Sequence, residues 1–197
     1  MRKKDQTIDK IMQASLTEFA NKGYLQASTN AIAEKAQVSK GLIFKYFPKK
    51  KDLYLALVQK VLKEMVEGFS NLKYASSEPI LKIIDIIYWK AEYSKAHPLE
   101  TALLLTAFSD PPGIVVSEIM GLLEQLKTLS FHQFFDDIDY TRYEKRFSKI
   151  QVQKNIELAI EGLQSSILKK GLTLDKLTGT KEESLLFIKT VLKGMEE

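Results

Sequence analysis

From Thr7 to Lys22, apolar or small residues recur at Ile8, Ile11, Met12, Ser15, Leu16, Phe19 and Ala20. This alternating spacing of three and one lines a single stripe of an α-helix and fits neither face of a strand. The same period returns along most of the chain. It is interrupted at Ser76-Ser77-Glu78-Pro79, His97-Pro98, Asp110 to Gly113, Asp136 to Asp139 and Gly171 to Thr180. There is no strand alternation and no internal repeat, so the pattern predicts an all-α fold of about nine helices. At the N-terminal end the punctuation is sharp. Gly23 can take the left-handed conformation that closes the first helix. Ser28 or Thr29 can cap a short second helix that carries Ile32, Ala33 and Ala36 inward. A third helix starts behind Ser39 and is closed by Pro48. Asp52 opens a fourth that runs to about Gly68.

The 197 residues are 45% apolar and 27% charged, which suits a folded globular chain rather than a disordered one. Cysteine is absent, which removes disulfide scaffolds, thiolate zinc sites and cysteine nucleophiles. No run approaches the about 18 uninterrupted apolar residues of a membrane span. The opening MRKKDQTIDK has no apolar stretch behind its basic residues, so it does not read as a secretion signal. The expectation is a cytoplasmic protein without a membrane partner. Its net charge of +4 is unevenly shared: residues 1–51 hold eleven Lys and Arg against four acidic residues, a net of +7, which leaves −3 for residues 52–197. A basic first quarter on an acidic remainder is expected where only that quarter meets a polyanion, although a solvated lysine face has the same composition.

Residues 29–48, TNAIAEKAQVSKGLIFKYFP, are the informative segment. Two short helices with a tight connection form a helix-turn-helix: Ala33 permits close approach, and Ile32, Val38 and Ile43 fill the wedge between them. On the second of these helices Lys40, Gly41, Leu42, Phe44, Lys45 and Tyr46 face outward. Such a helix turns its N-terminal residues to base edges and its flanks to phosphates. Lys40 can bond guanine O6 or N7 or a phosphate, bare Gly41 admits the groove, and Leu42 or Phe44 can touch a thymine methyl. Thr29 and Ser39 stand at helix starts, where hydroxyls and free amides suit phosphate and equally suit plain capping. Lys49-Lys50-Lys51 adds a further basic clamp. Burial of Phe44 and Tyr46 against the first helix is the alternative to their groove role.

With these residues in view, the stretch from Ile8 to Leu55 resembles the DNA-binding domain of the TetR family of bacterial transcriptional regulators. The resemblance rests on GYLQAST, AIAEKAQVSKGLIFKYF and PKKKDLYLAL in that order and at that spacing. It implies DNA contacts at Thr29 and Asn30 on the second helix, at Ser39 to Leu42 and Phe44 to Tyr46 on the third, and a phosphate contact at Lys50. Three departures stand out. Gln37 occupies a turn position usually held by glycine, Phe44 replaces a tyrosine, and Lys49 sits where a small capping residue is common.

The resemblance also implies a homodimer on a near-palindromic operator. Two stripes near the end of the chain suit such an interface: Ile156, Ile160, Leu163 and Ile167, then Leu185, Ile188, Leu192 and Met195. Ordinary packing within one chain is the alternative. The middle helices carry Tyr88, Trp89, Tyr93, Phe108, Met120 and Phe131, which in similar regulators would enclose a small apolar or aromatic effector and which by periodicity alone read as core. The expected organisation is a helix-turn-helix domain at 1–51, rigidly joined through the fourth helix to a ligand-binding and dimerisation domain at 52–197. The function expected is that of a ligand-responsive repressor, with no cofactor and no enzymatic activity. Two other readings compete with it. One is a DNA binder indifferent to sequence; the other is a helical enzyme built around His132, Asp136, Asp137 and Asp139, which form no closed ligand set and no nucleophile with its base.

Overall fold

The computed structural model describes residues 3–73, 79–135, 138–169 and 174–196. The described residues form nine α-helices and two short 3-10 turns: α1 Lys3–Gln26, α2 Thr29–Ala36, α3 Lys40–Tyr46, α4 Lys50–Ser70, α5 Pro79–Ala96, α6 Pro98–Ser109, α7 Val116–Phe135, α8 Lys149–Lys169 and α9 Leu174–Glu196. The turns cover Gly113–Val115 and Tyr140–Arg142. Local chemistry sets the first boundaries. Gly23 breaks α1 with φ 67 and ψ 174, a conformation essentially reserved for glycine, so the regular helix stops where the sequence implies and one further turn follows the kink. Pro48 lies just beyond α3, whose last carbonyl bond is made by the Phe47 amide to Ile43 at 2.8 Å.

Two compact units emerge. One comprises residues 1–70 with 94–127, the other residues 71–93 with 128–197. In the first, Ile11 and Phe19 of α1, Ile32 of α2, Ile43 of α3 and Leu53, Leu57 and Val58 of α4 share one core. Leu103, Leu104 and Ala107 of α6, with Val115 and Ile119 after it, complete that core. The expected domain division at 51/52 falls within the first turn of α4, and the unit containing the helix-turn-helix takes in α4, α6 and the first part of α7. Within this unit α6 packs on α1 and α4. An aromatic trio reinforces the α1–α4 contact: Tyr54 meets Phe19 and Tyr24 edge-on, each at 5.1 Å between centroids.

In the second unit α8 packs on α9. Val152 and Ile156 face inward from α8, and Ile188, Leu192 and Met195 from α9. Lys181 of α9 reaches Asp85 of α5 at 2.7 Å, and the hydroxyls of Tyr88 and Ser184 lie 3.4 Å apart beside that pair. Among the described residues no single helix is long and apolar enough to cross a membrane. The segments Pro98–Ser109 and Gly113–Leu126 reach that composition only as a pair bent by 86°.

Candidate nucleic-acid interface

The helix-turn-helix is assembled from caps. Ser28 precedes α2 in an extended conformation, and its Oγ accepts from the Ala31 amide at 3.5 Å. Of the two residues the sequence offers for this cap, Ser28 takes it. Thr29 is therefore the first helical residue, half-buried, and Asn30 follows it, exposed. The backbone amide of Ser28 donates to Oε1 of Glu18 at 3.0 Å. The amide immediately before α2 is thus already taken.

The turn is a Schellman motif. The Gln37 amide donates to Glu34 O and the Val38 amide to Ala33 O, both at 3.0 Å, with Gln37 itself left-handed at φ 56 and ψ 44. The strain implied by a side chain at this position is therefore present. Ser39 then caps α3, its Oγ accepting from the Leu42 amide at 3.2 Å. Ile32 and Ile43 are fully buried and Val38 packs beside them, the wedge expected between the two helices.

On α3, Lys40, Gly41 and Lys45 are exposed, while Leu42, Phe44 and Tyr46 are half-buried. Nothing lies within 4 Å of where a Cβ on Gly41 would stand, so this turn of α3 is open on its outer side. Lys40 Nζ stands 5.8 Å from the Phe44 ring centroid, so the pair shares one outward surface. Tyr46 differs: it packs against the core of its unit together with Phe47. Its remaining exposed surface is all it can offer to a groove.

The three lysines that open α4 separate in direction. Asp52 Oδ2 accepts from the Lys49 amide at 2.9 Å, so half of a capping box survives although Lys49 has no capping side chain. Lys50 Nζ donates to Leu25 O at 3.2 Å and lies 4.8 Å from the Tyr24 ring centroid. Burial holds its ammonium below the usual lysine pKa, with Glu18 opposing. Lys51 turns to Glu118 of α7, 3.6 Å away. Lys50 is thus held on the side where α1 leads into α2, with two of its three donors left for a phosphate.

The residues expected to meet an effector divide between the two units. Phe108 packs against the core of the first unit, and Met120 of α7 is 48% exposed there. Tyr88, Trp89 and Tyr93 belong to α5 in the second unit. Trp89 and Tyr93 stack at 5.2 Å, and Tyr88 is buried in the polar group with Ser184. The side chain of Phe131 lies outside the described residues.

The two expected dimer stripes divide by how far each residue is buried within the chain. Ile156, Ile188, Leu192 and Met195 are buried within the chain and Ile160, Leu163 and Leu185 half-buried, because α8 and α9 turn these stripes into their own unit. Ile167 has its side chain outside the described residues. Among the described residues, the large apolar side chains left exposed on these helices are Ile150 and Leu158 on α8 and Leu186 and Phe187 on α9, with Leu186 68% exposed. Asp139 caps the second 3-10 turn through the Thr141 amide at 3.1 Å. The side chain of His132, and Asp136 and Asp137 entirely, lie outside the described residues. Among those described, no three His, Asp or Glu gather closely enough to hold a metal ion.

Comparison with known proteins agrees with this geometry. Residues 11–57 match the family of bacterial regulatory proteins described as the tetR family. The HTH-type transcriptional regulator RutR of Escherichia coli (strain K12) is 28% identical over 116 residues, which cover 59% of this chain and 54% of RutR. The chain thus spans about half the length of these curated relatives. Among solved structures, a TetR family transcriptional regulator from Chloroflexus aurantiacus superposes with a TM-score of 0.67 at 17% identity, covering 97% of this chain and 94% of its own. The fatty acid degradation regulator FadR from Bacillus halodurans gives 0.66 at 17% identity, covering 91% and 97%. At these identities the two structures speak for the fold.

Proposed function

We propose that this chain, whose residues 11–57 match the tetR family of bacterial regulatory proteins, is a DNA-binding transcriptional regulator of that family. In this reading it is a ligand-responsive homodimeric repressor that acts in the cytoplasm on a near-palindromic operator. The observation that carries it is the outer surface of α3: Lys40, Gly41 and Lys45 stand exposed on a short helix capped at Ser39, and Asn30 is exposed on α2. That arrangement offers a bare backbone to the major groove, flanked by cations for its phosphate walls. Residues 1–51 do the reading, and residues 52–197 supply the effector site and the dimer contact.

Dimerisation runs through the exposed sides of α8 and α9, where Leu158, Leu186 and Phe187 stand exposed. It sets two recognition helices roughly 34 Å apart, one turn of duplex. The effector is a small apolar or aromatic molecule, for which the stacked Trp89–Tyr93 pair and neighbouring Tyr88 are the supporting side chains. An effector that prefers a form with the wrong head spacing shifts the population off DNA, by no more than its differential affinity for the two forms. The test is Lys40→Ala, measured by competition on an operator and on a scrambled duplex of equal length. Loss confined to the operator supports specific readout, and equal weakening of both favours a binder indifferent to sequence.

A further inference from the structure

The cap of α2 is incomplete in its own sequence. In a capping box the residue three positions after the cap, Glu or Gln, reaches back to the cap's amide. Here Ser28 is the cap and the position three residues on is Ala31, which has no such group. The missing acceptor comes instead from ten residues upstream: Glu18 of α1 takes the Ser28 amide at 3.0 Å. The same oxygen accepts from Lys22 Nζ at 2.9 Å, and the Glu18 side chain is only 12% exposed. A nearly buried carboxylate beside a surface meant for a polyanion is tolerable because cations surround it. Lys22 and Lys35 act on it electrostatically, and it acts in turn on Lys50. The bond therefore fastens the first turn of α2 to α1, on the chain immediately before Thr29 and Asn30.

We propose that Glu18 is a positioning residue for DNA recognition, closing the cap of α2 from α1 and so fixing how Thr29 and Asn30 are presented to the duplex. Without it the first turn of α2 frays and those two residues lose their common orientation, while the phosphate-binding lysines keep theirs. The inference rests on the proposed reading of α2 and α3 as the DNA-binding surface.

The experiment compares the full chain with Glu18→Ala, Glu18→Gln and the double change Glu18→Ala with Ala31→Glu, on an operator selected with the wild type and on a scrambled duplex. Removal of one capping bond is expected to lower operator affinity about fivefold in Glu18→Ala, with the scrambled duplex unchanged. Glu18→Gln keeps an acceptor oxygen and stays within about twofold of wild type. Ala31→Glu rebuilds the box locally and restores most of the loss. Exchange of the Ser28 amide, read by NMR on the folded variants, quickens in Glu18→Ala and recovers in the double variant. Operator affinity unchanged in Glu18→Ala, equal loss on both duplexes, no rescue by Ala31→Glu, or a Ser28 amide indifferent to Glu18 would each overturn the assignment. If the wild type itself fails to distinguish the duplexes, the reading of this surface falls first and the role of Glu18 with it.

Discussion

Replacing Gln37 by glycine is predicted to stabilise the protein, although the change removes a side chain. Gln37 is the one non-glycine residue with positive φ among those described, at φ 56 and ψ 44. A left-handed conformation costs an L-residue roughly 1–2 kcal/mol, because its Cβ crowds the following carbonyl oxygen. Glycine removes that cost and gives back part of the gain, since its unfolded chain is freer by roughly 0.5–1 kcal/mol. Little else changes. The Gln37 side chain is exposed, and both bonds of the turn are made by backbone amides that glycine retains. The net expectation is a gain of about 0.5–1 kcal/mol, or about 2 °C in melting temperature for a chain of this size. Urea denaturation followed by circular dichroism measures it, with Gln37→Ala as the control, since alanine keeps the Cβ and should gain nothing. A Gln37→Gly protein no more stable than wild type, or an alanine variant that gains as much as glycine, would refute the argument from strain.

Three further outcomes follow from the same physical reasoning. Ser15 is fully buried in α1 and its Oγ has no hydrogen-bond partner, so Ser15→Ala should raise stability by about 1 kcal/mol in the same denaturation assay. The Tyr54 hydroxyl is pushed up to about 12, by burial first and by Tyr24 second. The fold thus favours its neutral form over an unfolded value near 10. That stability is fully present below about pH 10 and is lost as pH rises through about 12, so a spectrophotometric titration should show the Tyr54 step near pH 12, and Tyr54→Phe should remove it. Leu186→Glu on the exposed side of α9 should convert a dimer to monomer in sedimentation while leaving helix content unchanged, whereas persistence of the dimer would move the interface elsewhere.

What was legible in the sequence was local. Gly23, Ser39 and the strain at Gln37 act through the backbone of their immediate neighbours, so residue type and position suffice to read them. The wedge of Ile32, Val38 and Ile43 was legible because two short helices with one tight turn leave few ways to pack. Glu18 was not, since its bond to Ser28 spans ten residues and a carboxylate on an otherwise amphipathic helix resembles any solvated charge. The α8 and α9 stripes show the same limit from the other side. Periodicity says that Ile156 and Ile188 are buried and is silent on whether the partner is the same chain or a second copy. Phe108 likewise reads as a large apolar side chain on a helix, and only tertiary packing assigns it to the core with the helix-turn-helix. Met120 is as apolar in sequence as its neighbour Ile119, yet one is exposed and the other fully buried.

Selection of bound fragments from random duplex DNA by the full chain, at physiological salt, asks whether this helix-turn-helix reads sequence. One near-palindromic sequence whose half-sites lie about one helical turn apart should be enriched, and a Lys40→Ala protein should no longer enrich it. Fragments that share no sequence, retained equally by wild type and by Lys40→Ala, would contradict sequence-specific reading.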